Sequence, residues 1–123
     1  MLLPASALFL DRPMPPARAL ADAGAAIALA TDFNPGSSFT TSLPLACSLA
    51  CMLLHLSPAE ALSAVTANAA NVLGQGSRTG RLAPGLAADV VLLDAPDWRY
   101  LAYHLAGDIV STVIKGGTVA YRR

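Results

Sequence analysis

The run Ala25-Ala26-Ile27-Ala28-Leu29-Ala30-Thr31, closed by Asp32, limits this chain most, because an apolar stretch without polar alternation suits only a segment buried on both faces. Such a strand belongs in the parallel interior of an α/β fold, where helices cover both sides. The composition agrees, with 54% of residues hydrophobic and 13% charged, against usual values of about 45–50% and about 25%. A complete α/β barrel takes roughly 250 residues and eight strand-helix units. Any barrel formed by 123 residues must be partial.

Eight basic and eight acidic side chains cancel, which leaves no electrostatic reason to expect a nucleic acid or an anionic membrane as partner. Met1 to Leu10 has no basic leader and is interrupted by Pro4, which argues against a signal peptide although Ala5-Ser6-Ala7 resembles a cleavage site. Leu43 to Leu56 is apolar nearly throughout, yet it carries Ser48 and His55 and falls short of the roughly 20 residues a bilayer needs. Cys47 and Cys51 lie one helical turn apart, which is neither a disulfide framework nor a familiar zinc spacing. Reduced thiols in a cytoplasmic protein are the expectation.

Along the chain, Met1 to Leu10 reads as a short extended segment running into a loop at Asp11-Arg12-Pro13. Ala17 to Ala23 reads as a two-turn helix capped by Gly24, and Ala25 to Thr31 as the buried strand. After the turn-rich Asp32 to Ser38, Leu45 to Leu56 has the composition of a helix buried nearly all round. Ser57-Pro58-Ala59-Glu60 is a capping box, and the helix it starts runs through Leu62, Val65, Ala69 and Val72 to stop at Gly74. From Gly76 the character changes. Gly80-Arg81-Leu82, Pro84-Gly85, Asp89 to Asp94 and Val110 to Tyr121 read as short strands separated by turn residues, with Gly116-Gly117 as a hairpin turn. The expected organisation is therefore α/β over residues 1–75, with a boundary near Gln75, and a small antiparallel β unit over residues 76–123.

Asp32 is the most informative position for chemistry. A carboxylate directly after a buried strand projects from the strand's C-terminal end, where barrels assemble their active sites. There it can bind a divalent metal and exchange a proton with metal-bound water; equally, Asp is common in Asx-turns of the kind Asn34-Pro35-Gly36 suggests. Asn34, Gly36 and Ser37 offer an amide, bare backbone N–H groups and a hydroxyl to a ligand carboxylate, or simply make an ordinary turn. His55 reads as structural or as a helix cap, and His104 as part of an aromatic surface with Trp98, Tyr100 and Tyr103. A catalytic zinc needs about three protein ligands plus water, whereas this chain offers one candidate, so the chemistry is incomplete within it.

Ala30-Thr31-Asp32-Phe33-Asn34-Pro35-Gly36-Ser37-Ser38 resembles the ATDFNPGS signature of imidazolonepropionases, metal-dependent amidohydrolases. The resemblance continues through SPAEALSAVTANAANVLG at Ser57 to Gly74 and GRLAPGLAADVVLLDAPDWRYLAYHLAG at Gly80 to Gly107. It covers essentially the whole chain. DFNPGS is the discriminating part, since GxLxxGxxAD over Gly80 to Asp89 is shared by many amidohydrolases. The resemblance implies the C-terminal part of a TIM barrel followed by strands of a composite β-sandwich. It also implies hydrolysis of 4-imidazolone-5-propanoate to N-formimino-glutamate at one zinc or iron held by three histidines and the aspartate. Carried onto this chain, Asp32 is similar to the metal-binding aspartate that handles the proton of the attacking water. Asn34 and Gly36 match positions that hold the formimino-glutamate or propanoate portion, and Ser37 the neighbouring substrate contact. The family tends to form dimers. Its histidine ligands, catalytic glutamate, and arginine and tyrosine substrate contacts lie upstream of anything present here, which makes Met1 an internal methionine of a longer gene in this reading. Ala106-Gly107-Asp108-Ile109 also departs from the Gly-x-Asn-His run that family members often carry.

Two other readings compete. One is a piece of a different cyclic amidohydrolase or deaminase. The other is a non-catalytic fragment that only associates, through the apolar edge that Ala25 to Thr31 would leave unpaired.

Overall fold

Ile27, Ala28 and Leu29 are buried, at 8%, 0% and 2% exposure, in a computed structural model that describes all 123 residues. The expected strand over Ala25 to Thr31 shrinks to a single parallel bridge between Leu29 and Leu2. Its neighbour turns into helix α1 at Pro4, so only Leu2 lies alongside it in extended form. Leu2 N–H donates to the Ala28 carbonyl at 2.8 Å and Ala30 N–H to the Leu2 carbonyl at 3.3 Å. Leu29 N–H goes to the Ala64 carbonyl at 3.1 Å, and the Ile27 carbonyl accepts Asn68 Nδ2 at 2.8 Å. Ile27 to Ala30 is thus bonded along its backbone rather than left with the bare edge expected of it, whereas Ala25 and Ala26 are exposed and depart from the expected burial.

Met1 to Leu10 is not an extended segment. Pro4–Phe9 forms helix α1 with Pro4 in its first turn, where the missing N–H costs nothing and the fixed φ favours a helix. Ala and Leu without a β-branched residue then propagate it. Ala17–Asp22 forms α2 and Leu43–Leu53 forms α3, the latter capped by Ser42, whose hydroxyl accepts Leu45 N–H at 3.2 Å. The capping box starts α4, Pro58–Val65, with both reciprocal bonds in place. The long helix expected to Val72 breaks at Thr66, where φ is −120° and ψ −93°, and resumes as α5, Ala67–Val72. Thr66 Oγ1 donates to the Leu62 carbonyl at 2.6 Å, the kind of back-bonding that bends helices.

These elements close on Ala17, Ile27, Leu29, Cys47, Ala50, Leu54, Leu56, Ala61, Ala64 and Ala102. Alanine lets the helix backbones approach, while each fully buried Leu or Ile contributes about 1.5–3 kcal/mol, so Ile27, Leu29, Leu54 and Leu56 carry most of the burial energy. Ala102 comes from a short helix without a sequence signal, α6 at Tyr100–Tyr103, which packs on α3.

Val90–Leu93, Val110–Lys115 and Thr118–Arg122 form β1, β2 and β3 of an antiparallel sheet in the order β1-β2-β3. Gly116 and Gly117, at φ +57° and +81°, make the tight turn between β2 and β3, a backbone that glycine pairs supply readily. Asp89 braces that turn: its carboxylate accepts Gly116 N–H at 2.8 Å and pairs with Lys115. Gly80-Arg81-Leu82 and Pro84-Gly85 are turns and bends, not strands. They have no partner strand, and Gly80 is pressed onto α5 instead. No helix packs on the sheet, and Val91, Leu92, Val119 and Tyr121 are exposed on it.

Candidate functional site

Asp32 follows the buried run directly and turns the backbone sharply, at φ +52°, a left-handed conformation that Asp tolerates better than bulky residues. Its carboxylate is held on one oxygen. Oδ2 accepts the Ser6 hydroxyl at 2.8 Å and the Ser37 hydroxyl at 3.1 Å, while Oδ1 accepts no hydrogen bond within the chain.

The loop beyond is knitted by Asn34. Its Oδ1 accepts Gly36 N–H and Ser37 N–H, each at 2.9 Å, and its Nδ2 donates to the Asp32 carbonyl at 2.6 Å and to Ser37 Oγ at 2.7 Å. Asn34 and Ser38 pair across the loop base in an antiparallel bridge, and buried Ser38 donates its hydroxyl to the Thr31 carbonyl at 2.6 Å. The structure therefore brings Asp32, Asn34, Gly36 and Ser37 into one constellation, with the Asx-turn formed at the same time. Phe39 closes the loop against α1, its ring 4.5 Å from that of Phe9 and edge-on at 86°. Ser6 and Ser38 join the site without a sequence signal of their own.

The histidines stand apart. His55 follows α3 at φ +57° and lends its carbonyl to Arg18, and His104 lies exposed with its ring against Gly107. No group of three or more His, Cys, Asp or Glu that could hold a metal ion forms. The donor set thus fits a metal only as a single position, the unencumbered Oδ1 of Asp32. Burial pushes the Cys47 thiol up to about 12 and raises Cys51 as well, which disfavours the reactive thiolate form of both. A groove of about 730 Å³ beside α3 and α6, lined by Cys51, Met52, Tyr100 and Tyr103 among others, includes none of the four loop residues. No helix is long and apolar enough to cross a membrane.

A buried segment that delivers a carboxylate to a polar loop, followed by packed helices and a trailing antiparallel sheet, is the closing part of an amidohydrolase-type α/β barrel. Solved structures share this arrangement. One is an adenosine deaminase from Xanthomonas campestris with bound zinc, at TM-score 0.83 and 28% identity over 95% of this chain and 30% of that one. Another is an atrazine chlorohydrolase variant from Arthrobacter aurescens complexed with zinc and atraton, at TM-score 0.82 and 27% identity over 98% of this chain and 30% of that one. The chain belongs to the amidohydrolase family, whose model matches residues 4–121. Among curated relatives, it is 66% identical over 117 residues to the imidazolonepropionase of Rubrobacter xylanophilus and 46% identical over 116 residues to that of Parabacteroides distasonis. Those alignments cover 95% and 94% of this chain but 28% of each relative.

Proposed function

We propose that this chain is the carboxylate-and-loop portion of a cytoplasmic imidazolonepropionase, a homodimer when whole, which hydrolyses 4-imidazolone-5-propanoate to N-formimino-L-glutamate in histidine degradation. The observation that carries this is the free Oδ1 of Asp32 at the mouth of a loop rich in hydrogen-bond donors, in a chain 66% identical to an imidazolonepropionase. The donors present suit one ligand position on a zinc or iron ion, the histidine ligands being outside the chain. When bound, such an ion would supply Lewis-acid polarisation of the ring carbonyl and activation of water.

The chain's own residues have separable tasks. Asp32 would present Oδ1 as a ligand to the ion, and its carboxylate would handle the proton of the attacking water. Asn34, Gly36 and Ser37 receive the carboxylate-bearing arm of the substrate. The amides of Gly36 and Ser37 now donate to Asn34 Oδ1, and a substrate carboxylate would take them over. Hydrogen bonds to charged acceptors contribute about 1.5–3 kcal/mol against about 0.5–1.5 for neutral ones, which would work against the cost of releasing Asn34 Oδ1. In this proposal the chain divides near Gln75, with residues 1–75 belonging to the barrel and 76–123 to the β unit, and α6 of the second part clipped onto α3 of the first.

A second reading, a piece of a different deaminase or cyclic amidohydrolase, is favoured by the structural neighbours at 27–28% identity. A graft separates the two. The chain is substituted for the corresponding part of the Rubrobacter xylanophilus enzyme and assayed on imidazolonepropanoate, adenosine and other cyclic amides. Turnover of imidazolonepropanoate alone is expected, together with neither turnover nor stoichiometric metal in the isolated 123-residue polypeptide. Preferential turnover of another substrate, or tight metal binding by the isolated chain, would overturn the proposal.

A further inference from the structure

The geometry points to Ser6 as a positioning residue for Asp32, fixing which carboxylate oxygen is left to work; this rests on the activity proposed above. Ser6 sits in the first turn of α1 and is 7% exposed. A serine in a helix commonly returns its hydroxyl to a nearby carbonyl of its own turn. Ser6 instead reaches Asp32 Oδ2 across 26 residues of sequence, at 2.8 Å.

The direction of each bond follows from valence. Both hydroxyls donate to Oδ2, as a carboxylate oxygen requires. Ser37 Oγ also takes a hydrogen from Asn34 Nδ2 at 2.7 Å, which leaves its own hydrogen for Asp32. Asn34, Ser37 and Asp32 therefore form one directed chain, and Ser6 closes it from the opposite end. Two donors on Oδ2 set the rotation of the carboxylate and leave Oδ1 bare. Ser37 alone is the weaker restraint, because it rides on the same loop at 3.1 Å and is one of the residues assigned to substrate. Ser6 comes from a separate helix. Its bond is not the only one that docks that helix, since the Leu2–Leu29 bridge, the packing of α1 on α3 and the Phe9–Phe39 contact place it as well.

The test uses Ser6→Ala and Ser6→Thr. In the isolated chain, the carboxyl carbon-13 resonance of Asp32 is expected to move in the alanine variant and return towards its original position in the threonine variant, which keeps the hydroxyl. An unmoved resonance in Ser6→Ala overturns the inference whatever the enzyme does. If Ser6→Ala fails to fold, Ser6→Cys, of similar size and a weak donor, is read in the same way. In the graft, Ser6→Ala is expected to lower kcat on the order of 10–100-fold, the usual loss when the partner of a ligating group is removed, with KM unchanged and with rescue by threonine. A graft that is active but indifferent to Ser6→Ala refutes the inference alone. A graft that is inactive with Ser6 in place removes the activity proposal and leaves the resonance to decide the role of Ser6.

Discussion

Replacing Gly80 by alanine should destabilise the chain far more than the same change at Gly85, although both are glycines of one motif with similar backbones. Gly80 has φ +97° and Gly85 φ +85°, so each substitution forces an L-residue into the left-handed region at roughly 1–2 kcal/mol. The surroundings differ. A Cβ on Gly80 would lie 2.5 Å from Ala70 Cβ, 3.0 Å from the Thr66 carbonyl oxygen and 3.2 Å from Ala67 Cα, whereas one on Gly85 meets nothing within 4 Å. Carbon atoms at contact prefer about 3.5–4.0 Å, so α5 or the loop must move by about an ångström. Ala70 and the Thr66 and Ala67 backbone cannot swing aside as a flexible side chain would. Overpacking of this kind adds about 1–3 kcal/mol. Urea unfolding followed by circular dichroism should place Gly85→Ala below the parent chain and Gly80→Ala lower still, with the slope m unchanged. Equal midpoints for the two variants would refute the idea that close packing on α5, rather than backbone freedom alone, requires glycine at position 80.

Acid sensitivity should run partly through Glu60, which accepts Arg18 at 2.9–3.0 Å and Ser57 N–H at 2.8 Å and whose pKa falls from 4.5 to about 2, chiefly through the Arg18 bonds. Because its folded pKa is depressed, its contribution is present above pH 4.5 and lost as pH falls to about 2. Asp97, lowered to about 2 by Arg99, titrates in the same window, so the diagnostic is the difference between the parent chain and Arg18→Met. Urea midpoints measured across this range should fall less steeply in the variant, and superimposable pH profiles would contradict the assignment. Asn68→Ala strips the Ile27 carbonyl of its 2.8 Å partner and should cost about 1–3 kcal/mol; a variant as stable as the parent would show that another donor takes over.

The elements that local chemistry dictates were legible in the sequence. Ser57-Pro58-Ala59-Glu60 satisfies its own amides, and Gly116-Gly117 turns its own hairpin, so neither needs distant contacts. The failures lie where tertiary contacts or position within the element decide. Pro4 reads as a breaker when judged alone, but at the first turn of α1 it starts a helix. Thr66 splits one periodic run into α4 and α5 through a hydroxyl bond and a loop packed beside it. Gly80-Arg81-Leu82 lies between turn residues as a short strand would, but has no neighbouring strand.

The candidate site divides in the same way. Asp32, Asn34, Gly36 and Ser37 are neighbours in sequence, and because Asn34 bonds to Asp32, Gly36 and Ser37, the loop holds its shape from its own side chains. Ser6 is separated from Asp32 by 26 positions, and no spacing rule ties a helical serine to a carboxylate that distant. Its hydroxyl acquires meaning only once the Leu2–Leu29 bridge sets α1 beside the loop. In the function proposed above, the fold's contribution is therefore orientation. The loop supplies the carboxylate and, through Ser37, one donor to its Oδ2; the second donor to that oxygen, Ser6, comes from α1.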